Sequence, residues 1–152
     1  MENGAPQQAF KSENLQRTEA DHPTLRHAIL FDWTPVFLYC LMIFSFSSRP
    51  APSQIPVFPY SDKIVHLLIY MIMGILFYRA FRREKDQTRT AIELAVSASI
   101  LYGISDEIHQ SFVPGRTAEL SDVLADAFGS FFGVLLFHRF IRNRKNPDKV
   151  PV

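Results

Sequence analysis

Between Ser105 and Asp126 the chain crowds together side chains that could move protons, hold a metal or grip an anion. They are Asp106, Glu107, His109, Gln110, Arg116, Asp122 and Asp126, and Lys63 and His66 stand earlier at a similar polar opening. Carboxylates beside imidazoles offer general acid–base chemistry. His66 and His109 with Asp122 or Asp126 offer mixed nitrogen and oxygen ligands for a divalent metal. No short ligand motif of known spacing accompanies them, so no metal or other cofactor is expected; the ligands to consider would be His66, His109 and Asp126. Lys63 and Arg116 could hold a phosphate or carboxylate, or simply pair with the neighbouring acids. Adjacent Asp106 and Glu107 project about 100° apart on a helix, which argues against a carboxylate dyad. One can pair with Arg116 while the other faces a cavity. Ser47 and Ser48 could hold a nucleophile, but ending and capping a helix is the simpler role. A charged helix end near lipid head groups would also explain the acids. An acid pair, a histidine and an arginine-bearing turn occurring together favour a site.

The elements that must position these residues are helical. The first helix is expected to start near Asp32, with Asp32 or Thr34 as cap and Pro35 early, and to run to Ser47 or Ser48. A loop with Pro50, Pro52, Pro56 and Pro59 follows, where a helix cannot persist. A second helix opens at Ser61-Asp62 and reaches about Phe81. Next comes a basic loop with Arg82, Arg83, Lys85 and Arg89, then a third helix from about Thr90 to Gln110 or Phe112. The turn Val113-Pro114-Gly115-Arg116 ends it, and a fourth helix runs from Ser121-Asp122 to near Ile141.

Apolar residues make up 47% and charged ones 20%, and the mean hydropathy is only +0.02. That average conceals an uneven distribution. The runs Trp33–Ser48, Ile64–Tyr78, Leu94–Ser105 and Ala127–His138 hold no Asp, Glu, Lys or Arg. Each is shorter than the roughly 20 residues of a full span, yet each is apolar all round, whereas helices of soluble bundles keep a charged face. With their charged ends, the last three reach about 20 residues or roughly 30 Å.

Charge gives the direction. If the helices alternate, one side carries Lys11, Arg17, Arg26, Arg79, Arg82, Arg83, Lys85, Arg89, Arg139, Arg142, Arg144, Lys145 and Lys149. The other carries Arg49, Lys63 and Arg116, so thirteen basic residues oppose three. That asymmetry fits the positive-inside rule with both termini cytoplasmic, and it sets the polar cluster on the opposite, extracytoplasmic face. Tyr60 and Trp33 read as interface anchors. The multi-pass protein would lie in the cytoplasmic membrane, with the lipid bilayer as partner.

Other features bound the organisation. Three segments are expected: a flexible polar tail over 1–30, a four-helix membrane domain over 31–141 and a basic tail over 142–152. The first thirty residues lack the apolar segment of a signal peptide. Cys40, the sole cysteine, permits no intrachain disulfide, and no basic stripe with interleaved aromatics points to nucleic acid. Sliding the chain by 60 residues superposes Ser61, Asp62, Leu76, Phe77 and Arg79 on Ser121, Asp122, Leu136, Phe137 and Arg139. The fold class expected is thus an all-α, integral membrane four-helix bundle of two parallel-repeat helical hairpins, an arrangement that can place a site at the repeat interface. Asp62, His66 and Tyr70 share one helical face, as do Asp122 and Asp126, and Glu107 aligns with Ser99 and Gly103. Ala125, Gly129 and Gly133 form a small-residue stripe that admits a neighbouring backbone.

The run Tyr102-Gly103-x-x-Asp106-Glu107-x-His109-Gln110-x-Phe112-x-Pro114-Gly115-Arg116, followed by Asp122-Val123 and a glycine-containing helix, resembles the VanZ-like family of bacterial membrane proteins. Lys63-x-x-His66-x-x-x-Tyr70-x-x-x-Gly74 matches that family's second helix, and the resemblance covers roughly Trp33 to Phe140. The family's namesake is associated with resistance to the glycopeptide antibiotic teicoplanin. The resemblance implies a cell-envelope role and carries over no settled activity. Three functions follow as expectations. The first is recognition of a polar envelope component, such as a lipid head group, a cell-wall precursor or a glycopeptide-related ligand. The second is a membrane hydrolase or transferase using His66 or His109 beside Asp106, Glu107 or Asp126. The third, a small transporter, is disfavoured because four helices leave little room for alternating access without self-association into a homo-oligomer.

Overall fold

The computed structural model describes residues 30–50, 60–84 and 88–145, which form four helices and no strand. Helix α1 is continuous over Leu30–Ser47. It is followed by α2 over Ser61–Glu84, α3 over Thr88–Gln110 and α4 over Leu120–Lys145. The tail over 1–29, most of the proline loop and the last residues of the basic tail lie outside the described residues.

Helices α1, α2 and α4 are long and apolar enough to cross a membrane. The 24 residues of α2 span about 36 Å at 1.5 Å per residue. Helix α3 falls short on composition rather than length, because Arg89, Glu93, Asp106 and Glu107 interrupt it. One face of it points inward, where Ala91, Ala95, Ser99, Gly103, Asp106, Glu107 and Gln110 are all buried, while Arg89 and Glu93 near its start are exposed. Outward-facing Phe37, Leu38, Leu68, Leu101, Phe128 and Leu136 are instead exposed, five of them by 56% or more. Carboxylates inside and phenylalanines outside reverse the order of a water-soluble protein, and that reversal is stable only where lipid is the solvent. The chain is a multi-pass membrane protein.

Close backbone packing sets the helix pairs. A Cβ added at Gly74 would stand 2.6 Å from the Ser130 carbonyl oxygen, and Cβ atoms at Gly129 and Gly133 would overlap the carbonyls of Leu67 and Met71. Helices α2 and α4 therefore touch through bare backbone, as small residues allow where no hydrophobic effect drives association. They run in the same direction: His66 meets Asp126, the Ser130 hydroxyl donates to the Tyr70 carbonyl at 3.2 Å, and Tyr78 Oη lies 2.8 Å from His138 Nδ1. The partners in all three pairs are 60 residues apart. Helix α1 crosses α2 in the opposite direction, with Tyr39 donating to the Ile69 carbonyl at 3.0 Å. It follows α3 in the same direction, with Tyr102 donating to the Cys40 carbonyl at 2.6 Å.

Two local expectations need correction. Asp32 does not cap α1, which is already helical at Leu30. Its buried carboxylate instead accepts from Arg83 at 2.8 Å and lies 3.7 Å from Arg79. Thr34 returns its hydroxyl to the Leu30 carbonyl at 2.6 Å, as mid-helix threonines do.

Candidate functional site

Helices α1 and α3 end, and α2 and α4 begin, at one polar end of the molecule. The α3–α4 turn is built for this place. Arg116 N–H donates to the Val113 carbonyl at 3.1 Å, and Gly115 has φ 78°. Proline followed by glycine at positive φ is the signature of a type II turn, and it brings Arg116 back over the helix ends.

Three connected groups occupy this end. In the first, Lys63 Nζ lies 2.7 Å from Asp62, 2.6 Å from Glu119 and 2.8 Å from Asp122. One ammonium thus ties the starts of α2 and α4 together. Glu119, in the turn outside the spans, is held below the usual carboxylate range by that ammonium and by the Ser121 hydroxyl.

His66, Glu107 and Asp126 make the second group. His66 Nδ1 is 3.0 Å from Asp126 Oδ1 and 4.0 Å from Glu107 Oε1. Glu107 Oε2 accepts the Glu119 backbone N–H at 3.0 Å. Asp126 is 1% exposed and Glu107 4%. Each keeps a buried oxygen without a hydrogen-bond partner, Oδ2 and Oε1 respectively, as does the Tyr70 hydroxyl. The Tyr70 ring stacks parallel to that of His66, with centroids 6.4 Å apart.

The third group surrounds Arg116. Its guanidinium donates to the carbonyls of Arg49 and Phe46 at 3.2 and 3.5 Å and to Gln110 Oε1 at 3.4 Å. Gln110 in turn donates to Asp106 Oδ2 at 3.0 Å. The expected pairing of Arg116 with Asp106 or Glu107 is therefore not direct. Gln110 stands between Arg116 and Asp106, and among the described residues no carboxylate lies within ion-pair distance of Arg116.

A cavity of about 220 Å³ opens between α1, α2 and α3. Met42, Ile43, Phe46, Val65 and Ile69 form its apolar wall, and Ser47, His66, Tyr70, Asp106, Gln110 and Arg116 its polar one.

Of the residues singled out in the sequence, Lys63 and Asp122 fall in the first group, His66, Glu107 and Asp126 in the second, and Asp106, Gln110 and Arg116 around the cavity. His109 joins none of them. Its Nε2 lies 3.0 Å from Ser48 Oγ, and its ring packs on Phe44 with centroids 4.5 Å apart. The Ser48 hydroxyl already donates to the Phe44 carbonyl, so Nε2–H is the donor to Ser48. Glu107 takes the place expected of His109 beside His66 and Asp126. Glu119 carries no sequence signal of its role, because its partner Lys63 is 56 residues away.

The chain belongs to the VanZ/LLP1 family, whose model matches residues 4–142. It is also similar to an uncharacterised protein of Schizosaccharomyces pombe, 29% identical over 102 residues. That match takes in 66% of this chain and 59% of the yeast protein's length. No solved structure matches the chain.

Proposed function

We propose that this VanZ/LLP1-family protein binds the anionic head of an amphiphile, a lipid or a lipid-linked envelope precursor, in the cavity at its polar end. The observation that carries this reading is the contrast between the two cations there. Lys63 is neutralised by three carboxylates, whereas Arg116 reaches only carbonyl and amide oxygens while lining the cavity. A guanidinium without an acid partner is suited to a phosphate or carboxylate. At 220 Å³ the cavity is smaller than the about 300–1,000 Å³ usual for drug-sized ligands. It suits a head group whose chains lie along the exposed apolar faces of α1 and α2.

In this reading the thirteen-to-three distribution of basic residues orients the polar end away from the cytoplasm, with both termini cytoplasmic. The recurring 60-residue offset between α2 and α4 supports two related hairpins. The chain would sit in a cytoplasmic-type membrane facing the envelope side. Binding to nanodiscs of defined composition tests the ligand. Phosphatidic acid or phosphatidylglycerol should protect the chain from thermal unfolding more than phosphatidylcholine does, and Arg116→Gln should abolish the difference. Equal protection by anionic and zwitterionic lipid would refute it.

One contact favours a second reading, a hydrolase or transferase. Asp126 holds Nδ1 of His66 while the imidazole lines the cavity, which is how a carboxylate orients a histidine for acid–base work. Under that reading His66→Gln would stop turnover of a bound amphiphile without releasing it.

A further inference from the structure

We infer that His66, Glu107 and Asp126 bind one divalent transition-metal ion of the zinc or manganese type. The inference stands independently of the anionic ligand at Arg116. One atom from each side chain lies within 4.8 Å of the others, with His66 Nδ1 at 3.0 Å from Asp126 Oδ1 and 4.0 Å from Glu107 Oε1. Metal bonds of about 2.0–2.2 Å to nitrogen and oxygen need donors separated by roughly 3–4 Å, and both separations from His66 fall in that range.

The unused oxygens point the same way. Glu107 and Asp126 are each more than nine-tenths buried, and each commits one oxygen to a protein donor while the other has none. An unpartnered carboxylate oxygen in a desolvated site is costly, and a cation is the partner it lacks. Gly103 is what lets Asp126 pack there: a Cβ at that position would stand 2.8 Å from Asp126 Oδ2 and 3.2 Å from the Tyr70 ring.

Comparison with the neighbouring acids sharpens the point. Asp62, Glu119 and Asp122 also bring ligand oxygens together, but the Lys63 ammonium sits among all three. That trio already has its cation. The trio of His66, Glu107 and Asp126 has only an imidazole, whose nitrogen can serve as a ligand once its proton leaves to solvent. One nitrogen with carboxylate oxygens suits zinc or manganese better than magnesium or calcium, which prefer oxygen alone. His66 also lines the cavity, which supplies a route for the ion and room for a water on it.

The test uses the full chain in detergent, stripped with chelator and then titrated with zinc chloride or manganese chloride. Calorimetry and elemental analysis should find one ion per chain. Glu107→Gln and Asp126→Asn should each weaken binding at least about tenfold, while Asp62→Asn at the Lys63 group leaves it unchanged. Electron spin-echo spectra of the manganese-loaded wild type should show coupling to a histidine nitrogen, a readout that requires no variant to fold. No stoichiometric ion in the wild type, no nitrogen coupling, full binding by both carboxylate variants, or loss of binding in Asp62→Asn would each overturn the site.

Discussion

At the scale of single residues, the polar end depends on how few cations serve its acids. Lys63 answers three carboxylates at 2.6 to 2.8 Å. Lys63→Met should therefore destabilise the chain by about 1–3 kcal/mol, because it strands the buried Asp122 without a donor, and Lys63→Arg should restore part of that loss. Thermal unfolding in detergent, followed by circular dichroism, measures both. Glu119 adds a dependence on pH. Its carboxylate titrates lower in the folded chain than in the unfolded one, so its contribution is complete above the ordinary value of about 4.3. That contribution fades as pH falls through the lower folded value. The melting-temperature gap between wild type and Glu119→Gln should be widest near neutrality and close in acid; a gap that widened in acid would contradict the pairing. Residue types at this end were legible in the sequence because ionisable groups in apolar helices stand out. Their partners were not. Nothing local joins Lys63 to Glu119, or assigns Glu107 rather than His109 to His66, since those choices are made where different helices meet.

Helices were more legible than contacts. Ser61-Asp62, the Pro114-Gly115 turn and Ser121-Asp122 mark helix ends through local chemistry, and α2, α3 and α4 begin or end within a few residues of them. The start of α1 differs from the expected one because Asp32 looks like a cap, while its partner Arg83 lies 51 residues away. The small-residue stripe also carries a specific expectation. Gly129 and Gly133 abut the carbonyls of Leu67 and Met71. Gly133→Leu should therefore push α4 from α2 and cost about 1–3 kcal/mol or more, read as a lowered melting temperature. Leu136→Ala, on the exposed outer face of the same helix, should change stability far less.

For the whole molecule, solvent is the deciding quantity. Mean hydropathy alone left the membrane assignment marginal; the outward phenylalanines and inward carboxylates make it physical. Orientation rests on charge, and it can be read directly. In a Cys40→Ser background, Arg116→Cys and Arg83→Cys should react with an impermeant thiol reagent from opposite sides of the membrane. Labelling from the same side would overturn the alternating topology.

We propose above all the capture of an anionic amphiphile by Arg116 in the cavity at the polar end. Its most direct measurement is native mass spectrometry of molecules that co-purify with the wild type and with Arg116→Gln from the same membranes. The expected result is an anionic amphiphile bound to the wild type at about one per chain and largely lost from the variant. An identical complement on both proteins, or a wild type that carries no such molecule, would contradict it.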